Sequence, residues 1–435
     1  MTKRMLLAIL LLIVFALPAG CQKQGGEPTQ PTAPAPTILP THTPESSPTP
    51  TPDPVGEALA GMTVEQKAAQ LLVAGIEGTE PGEDAVQAVQ GYQVGGVILF
   101  GRNVESAEQL AALTNGLKEL NGDYTPLFLC VDQEGGRVDR MPPEVTDLPS
   151  ALDFGSIADP EARMDACFTL GQTLAAQCAA FGFNMDFAPS LDIWSNPENT
   201  VIGDRAFGTD AATVTGAANE TALGILSGGV IPVAKHFPGH GDTAVDSHYG
   251  LPVVDKSLEE LEELELRPFR QAIDTTCVYG TYGGDTSIPA IMVAHILLSQ
   301  IDPDNPASLS PEVVTGLLRE EMGYEGVVCT DDLTMGAISN TYGMGEAAVL
   351  AVEAGCDLLL VCHGADNLAE AHAALVEAVD SGRIPEERLD ESVRRILALK
   401  GAYGLINAPV EAPDIEALND RIAALERSIE ADTSQ

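Results

Sequence analysis

Basic residues are scarce in this chain. Its 22 Lys and Arg stand against 64 Asp and Glu, a formal net charge of −42. Nucleic acid and anionic membrane surfaces would be repelled, so neither is expected as a binding partner. Aromatic residues make up only 5% of the sequence, with a single Trp at position 194. Trp194 could stack on a ligand, but core packing is the preferred reading. Cysteine offers no disulfide framework, because besides Cys21 the chain holds an odd number: 130, 167, 178, 277, 329, 356 and 362. Cys130, Cys329 and Cys362 sit in apolar runs and read as small buried fillers. The apolar stretch Met5–Leu17 is short of the about 20 residues a spanning helix needs. No internal repeat is evident, which excludes a solenoid.

What is present begins with an export signal. Lys3 and Arg4 precede the apolar stretch, and Ala19-Gly20 supplies small residues at a cleavage point. The run Leu17-Pro18-Ala19-Gly20-Cys21 resembles a bacterial lipobox, which implies lipidation of Cys21 and an exported protein held at the extracytoplasmic face of a cell membrane. Residues 1–21 are thus read as a lipoprotein-type signal peptide. Residues 22–54 are rich in Pro, Thr and Ser and read as an extended linker.

From Val55 onward, apolar runs alternate with helical patterns. Strands are expected at Leu71–Ile76, Gly96–Phe100, Leu127–Val131, Asn184–Phe187, Val230–Ala234, Ala290–Ala294, Val327–Thr330 and Asp357–Val361. Helical spacing marks Ser106–Leu120, Pro160–Phe181 and Ser308–Met322, with Ser310-Pro311 as a cap followed by Pro at the first helical position. Eight β/α alternations in Val/Ile/Leu-rich runs predict an α/β fold, a (β/α)8 TIM-like barrel forming a single catalytic domain over residues 55–405. Residues 406–435 hold one further helical pattern, Ile415–Ile429, and leave no room for a second large domain.

Residues 235–248 read Lys-His-Phe-Pro-Gly-His-Gly-Asp-Thr-Ala-Val-Asp-Ser-His, with one Lys, three His and two Asp on a Pro/Gly-bent loop. In a locally extended segment Asp246 and His248 would share a face. The carboxylate could then fix the imidazole's tautomer and stabilise its charged form, making His248 a candidate general acid/base. Barrel active sites lie at the C-terminal ends of the strands. Polar clusters follow strand after strand there: Asp132 to Arg140, then Asp192 and Asp204-Arg205, Lys235-His236, His295, Asp331-Asp332 and His363. For Arg137 a structural ion pair with Glu134 or another acid is as good a reading as a functional one. His240 and Asp242 are expected to shape their loop.

Four motifs in order, Asp-Gln-Glu-Gly-Gly-Arg-Val-x-Arg, Gly-Asp-Arg-x-Phe-Gly, Lys-His-Phe-Pro-Gly-His-Gly-Asp-Thr-x-x-Asp-Ser-His and Thr-Asp-Asp-Leu-x-Met, resemble glycoside hydrolase family 3, in its β-N-acetylhexosaminidase branch. The resemblance spans about residues 57–405. It implies a retaining, exo-acting hydrolase of terminal β-linked N-acetylglucosamine, serving in cell-wall turnover. Asp331 would be the nucleophile, with His248 as acid/base and Asp246 as its partner. Asp132, Arg140, Arg205, Lys235 and His236 would contact the sugar, while Asp332 reads as a cap or supporting residue. A broader β-glycosidase or a glycoside phosphorylase using the same residues stays open. A zinc site from His236, His240 and His248, with Asp246 behind it, is the competing metal reading. A non-catalytic cell-wall-binding lipoprotein is another, although such a protein should lack Asp331 or His248. No metal or cofactor is expected, the partner is a carbohydrate substrate, and the protein is expected to be a monomer. The segment Thr275–Ile288 is longer than the family's usual link and should lie at the mouth opposite the chemistry.

Overall fold

Eight parallel strands close on themselves in the computed structural model, which describes residues 53–243, 246–275 and 287–433. They are β1 Leu72–Gly75, β2 Gly96–Leu99, β3 Phe128–Val131 and β4 Met185–Asp186. After them come β5 Ile231–Phe237, β6 Ala290–Val293, β7 Val327–Asp332 and β8 Leu358–Val361. Each strand pairs with the next in sequence, and β1 closes on β8 through Leu72↔Leu359. The strands are buried almost throughout because one face fills the barrel and the other meets the helix ring, so their sequences are continuous apolar runs. All eight expected strands are present. The fourth shrinks to two residues, although the Phe187 amide still donates to the Val131 carbonyl at 2.8 Å.

The helices begin where their caps dictate. Ser106 accepts the Gln109 amide at 3.2 Å and starts Ala107–Asn121. Asp159 caps Pro160–Ala180, with Pro at the first turn. The expected Ser308–Met322 helix starts later, at Glu312, because Ser310 Oγ accepts the Val313 amide at 3.3 Å and Pro311 opens the turn. The C-terminal helix Ile415–Thr433 lays Leu418, Ile422 and Leu425 on the barrel and belongs to the same compact unit. The signal peptide, the lipidation site Cys21 and the linker up to Pro52 lie outside the described residues. So does 276–286, the middle of the long segment. Its flanks, Thr275 and Ser287, precede β6 and so lie at the N-terminal end of the barrel.

Two register shifts fall where the sequence places its chemistry. Between Ala234 and Phe237, β5 carries one residue more than β6, and between Cys329 and Asp332, β7 carries one more than β8. Such bulges at a barrel rim bend the strand and re-aim its side chains. Here they contain Lys235-His236 and Asp331.

The N-terminal end of the barrel holds an unpaired cation. Lys400, on the last barrel helix Glu386–Ala402, donates to Gln70 Oε1 at 2.9 Å and to the Gly95 carbonyl at 2.8 Å, and sits over the Phe128 ring. Burial pushes its ammonium down to about 7. The unfolded chain keeps this proton up to about pH 10.4, so between about pH 7 and about pH 10 it binds more protons than the folded one. Stability from this site therefore rises with pH across that window, by up to about 1.4 kcal/mol per pH unit. Urea titrations of wild type and Lys400→Met should show this rise as a pH-dependent difference between the two. A pH-independent difference would contradict it.

Candidate active site

The floor of the site is a lattice of opposite charges from three strand ends. Lys235 Nζ lies 2.6 Å from Asp132 Oδ1 and 2.6 Å from Glu134 Oε1. Arg205 grips Glu134 through two bonds of 2.7 and 2.9 Å. Burial opposes ionisation of Glu134, but Arg205 and Lys235 outweigh it and hold the carboxyl well below its usual range. Lys235 is raised, since Asp132 and Glu134 overcome the cost of its burial. Glu134 is thus the buried hinge between two cations aimed at the pocket. Sequence reasoning missed this role, treating Glu134 only as a possible partner of Arg137. Arg137 instead pairs with Asp204 at 2.9 Å and donates to the carbonyls of Thr200, Val201 and Ile202. It clamps the loop that carries Arg205.

Gln133 organises the loop between Asp132 and Arg140. Its amide N–H donates to Asp186 at 2.9 Å, and its side chain donates to Asp139 and Gln177 and accepts the Arg140 amide at 2.7 Å. The loop can reverse because Gly135 and Gly136 take φ of 85° and 55°, and a Cβ on Gly135 would meet the Pro149 carbonyl at 2.9 Å. Arg140 is thereby returned to the pocket wall.

Asp192, which the sequence marked only as polar, organises the loop after β5. It accepts His236 Nδ1 at 2.6 Å and the His240 amide at 2.6 Å. Burial opposes its charge, but His236 and His240 hold it well below the usual carboxylate range. The peptide bonds Lys235–His236 and Phe237–Pro238 are cis. His240 is buried with both ring nitrogens engaged, Nδ1 by Thr243 Oγ1 at 2.8 Å and Nε2 by Ser247 Oγ at 3.3 Å. Burial, with His236 beside it, pushes its pKa down to about 4. His240 therefore shapes the loop, as does Asp242 through Lys256 at 3.0 Å. With His240 so engaged, the three-histidine zinc reading lacks a donor. Among the described residues no group of His, Cys, Asp and Glu is arranged to hold a metal ion.

Asp246 and His248 do meet, but not through an extended segment. The chain makes a tight turn in which the Asp246 carbonyl accepts the Tyr249 amide at 3.0 Å. Asp246 Oδ1 takes both the His248 amide at 2.9 Å and its Nδ1 at 2.7 Å. An Asx-type turn does what the i, i+2 alternation was expected to do. Burial raises the Asp246 pKa somewhat, but the two His248 contacts lower it further, for a net decrease. The turn is pinned from below, where the carbonyls of Ser247 and His248 accept the amides of Ala337 and Gly336 at 3.0 and 3.2 Å. A Cβ at Gly336 would stand 2.6 Å from the His248 carbonyl, so the docking needs glycine.

Asp331 occupies the β7 bulge, with Oδ1 accepting the Asp332 amide at 2.8 Å. Burial works against its charge, but His295, His236, the Asp332 amide and Lys235 together keep its pKa lowered. Its neighbour is spent on the scaffold. Asp332 accepts the amides of Thr334 and Cys362 and the Thr334 hydroxyl, and its carbonyl meets His295 Nε2 at 2.9 Å. His295, counted among the strand-end residues, is buried and supports this backbone from behind. Trp194 is half-buried away from the pocket.

Asp331, His248, Asp132, Arg140, Arg205, Lys235 and His236 all line one pocket of about 260 Å³, with Asp246 behind His248. That lies just below the about 300–1,000 Å³ of drug-sized ligand sites and suits one small polar unit.

Comparison with known proteins places this geometry. Residues 63–399 match the glycosyl hydrolase family 3 N terminal domain. A beta-hexosaminidase of Nitrosomonas eutropha is 36% identical over 331 residues, covering 75% of this chain and 91% of that protein. One from Methylococcus capsulatus is 39% identical over 307 residues, covering 71% and 84%. The structure of a family 3 beta-N-acetylglucosaminidase from Paenibacillus sp. aligns with a TM-score of 0.77 at 41% identity, covering 85% of this chain and 69% of that one. The motifs, the barrel and these likenesses agree, and the chain belongs to glycosyl hydrolase family 3.

Proposed function

We propose that the protein is an exo-acting β-N-acetylglucosaminidase that removes terminal β-linked N-acetylglucosamine with retention of configuration. The observation that carries this reading is the docking of the Asp246–His248 turn onto Gly336 and Ala337, which open the short helix Gly336–Ser339 that follows Asp331. A carboxylate and an imidazole with its own carboxylate are thereby held at one pocket by a shared backbone anchor. The relatives' names support the choice of sugar, and a pocket suited to one small polar unit supports exo action.

Asp331 attacks the anomeric carbon while the bond to the leaving oxygen breaks. His248 gives that oxygen the proton on Nε2, because Nδ1–H is committed to Asp246. The neutral imidazole then takes a proton from water. The water oxygen bonds to the anomeric carbon, and the Asp331 ester is released as carboxylate. Two inversions give retention. Asp132 spends one oxygen on Lys235 and offers the other to a sugar hydroxyl, while Lys235, Arg205 and Arg140 donate to hydroxyl oxygens and His236, whose Nδ1–H goes to Asp192, accepts at Nε2. The export signal and Cys21 support a lipid-anchored enzyme outside the cell membrane, acting in peptidoglycan turnover.

Chromogenic β-N-acetylglucosaminide and β-glucoside, each with and without phosphate, test the reading. Release from the first, with free N-acetylglucosamine as product in either buffer, is expected. Preference for the glucoside, or phosphate-dependent formation of a sugar 1-phosphate, would overturn it.

A further inference from the structure

We propose that His363, stacked on Phe100, is the platform for the second sugar ring of the substrate, the one that leaves. The inference rests on the function proposed above and adds the leaving group's binding site to it.

The pocket has a closed end and an open end. Lys235 is 2% exposed and Asp132 21%, whereas His248 is 63% and His363 55% exposed. A terminal sugar held by Lys235 and Asp132 points its scissile oxygen outward, toward His248. What is attached to that oxygen must leave past the residues at the rim. Among the described residues, His363 is the other exposed ring lining this pocket.

Its environment is built to hold a ring still. The imidazole lies 5.8 Å from the Phe100 ring at an interplanar angle of 24°. Phe100 lies beside it in an offset stack, and more than half of the imidazole side chain, 55%, stays exposed. Its Nε2 is 3.9 Å from Asp332 Oδ2, beyond hydrogen-bond length, and among the described residues it makes no hydrogen bond, so a ligand hydroxyl can meet it. The wall is braced by Arg102, which sits 4.7 Å from the Phe100 centroid and donates to the Cys362 carbonyl at 2.8 Å. The Cys362 amide binds Asp332, next to Asp331, and the His363 carbonyl accepts Asn367 Nδ2 at 2.8 Å. The platform is therefore fixed relative to Asp331 before any ligand arrives. A flat, exposed ring with a polar edge suits a pyranose, whose C–H face packs on the ring while a hydroxyl meets the edge.

The test compares two substrates that share the terminal sugar, the β-1,4-linked disaccharide of N-acetylglucosamine and its methyl β-glycoside. Both release an unactivated alcohol, so both depend on protonation by His248. His363→Ala should lower kcat/KM for the disaccharide about tenfold, mainly through KM, and leave the methyl glycoside within about twofold. His363→Phe keeps a ring and should recover most of the disaccharide activity. Equal losses on both substrates, no loss on the disaccharide, or a Phe variant as poor as the Ala variant would overturn the platform while leaving the proposed reaction standing. Wild-type protein inactive on both substrates would instead overturn the proposed reaction, and the platform with it.

Discussion

Asp331→Asn should lower turnover of even an activated aryl N-acetylglucosaminide by about four or more orders of magnitude while leaving the melting temperature near that of wild type. The amide cannot form the glycosyl ester, so the route through a covalent intermediate is closed however good the leaving group is. The fold should tolerate the change, because among the described residues the one hydrogen bond to the Asp331 carboxylate comes from the next residue's amide, which the Asn side-chain oxygen can accept. Asp332→Ala should behave in the opposite way. It strips a cap from the part-buried Thr334 amide and hydroxyl and from the Cys362 amide, of which the buried Cys362 amide alone costs about 1–3 kcal/mol if left unmade. Its stability should fall, with a much smaller loss of turnover per folded molecule. Thermal melts run beside steady-state kinetics separate the two. Comparable losses of turnover in both variants, or full activity in Asp331→Asn, would reject Asp331 as the nucleophile.

His248→Ala should depend on the leaving group. General acid–base assistance contributes about 10²–10⁴-fold, and most of it is needed where the departing oxygen is basic. Hydrolysis of a disaccharide should fall within that range, whereas release of a phenol of low pKa should be much less impaired. Deglycosylation still needs a base, so the variant should give a burst of phenol followed by slow turnover. Azide needs no base and should raise the slow rate, giving the β-glycosyl azide after two inversions. Asp246→Asn keeps the imidazole but removes the charge 2.7 Å from Nδ1, so it should be a milder form of the same defect. An α-configured azide product, or equal losses on both substrate types without azide rescue, would move the acid/base role away from His248.

The barrel was legible because strands buried on both faces leave continuous apolar runs, and Ser106, Asp159 and Ser310-Pro311 mark helix starts in plain view. The site was legible as a set of motifs at strand ends, but not as a geometry. The bulges holding Lys235-His236 and Asp331 are register differences between neighbouring strands, and no single strand's sequence encodes them. Glu134 was overlooked because its partners Arg205 and Lys235 lie far along the chain, while Arg137 stood close and drew the pairing. A signal existed, since an acid two residues after Asp132 at a strand end lies close to the cationic end of β5. The Asp246–His248 contact was foreseen through the wrong local geometry: a Ser between an acid and an imidazole fits an extended alternation and an Asx turn equally well, and the docking partner Gly336 decides between them. His295 looked like a member of the mouth because it follows a strand. Its bonds to Ser308 and to the Asp332 carbonyl turn it inward instead.

The proposed reaction passes through a covalent bond at one carboxylate, and the His248→Ala variant is the state in which that bond should accumulate. Mixed with an activated aryl N-acetylglucosaminide, quenched in acid during the slow phase and digested, it should yield a single peptide heavier by one N-acetylhexosaminyl group, with fragmentation placing the group on Asp331. A sugar on any other residue, or a burst of phenol with no sugar on the protein, would contradict it.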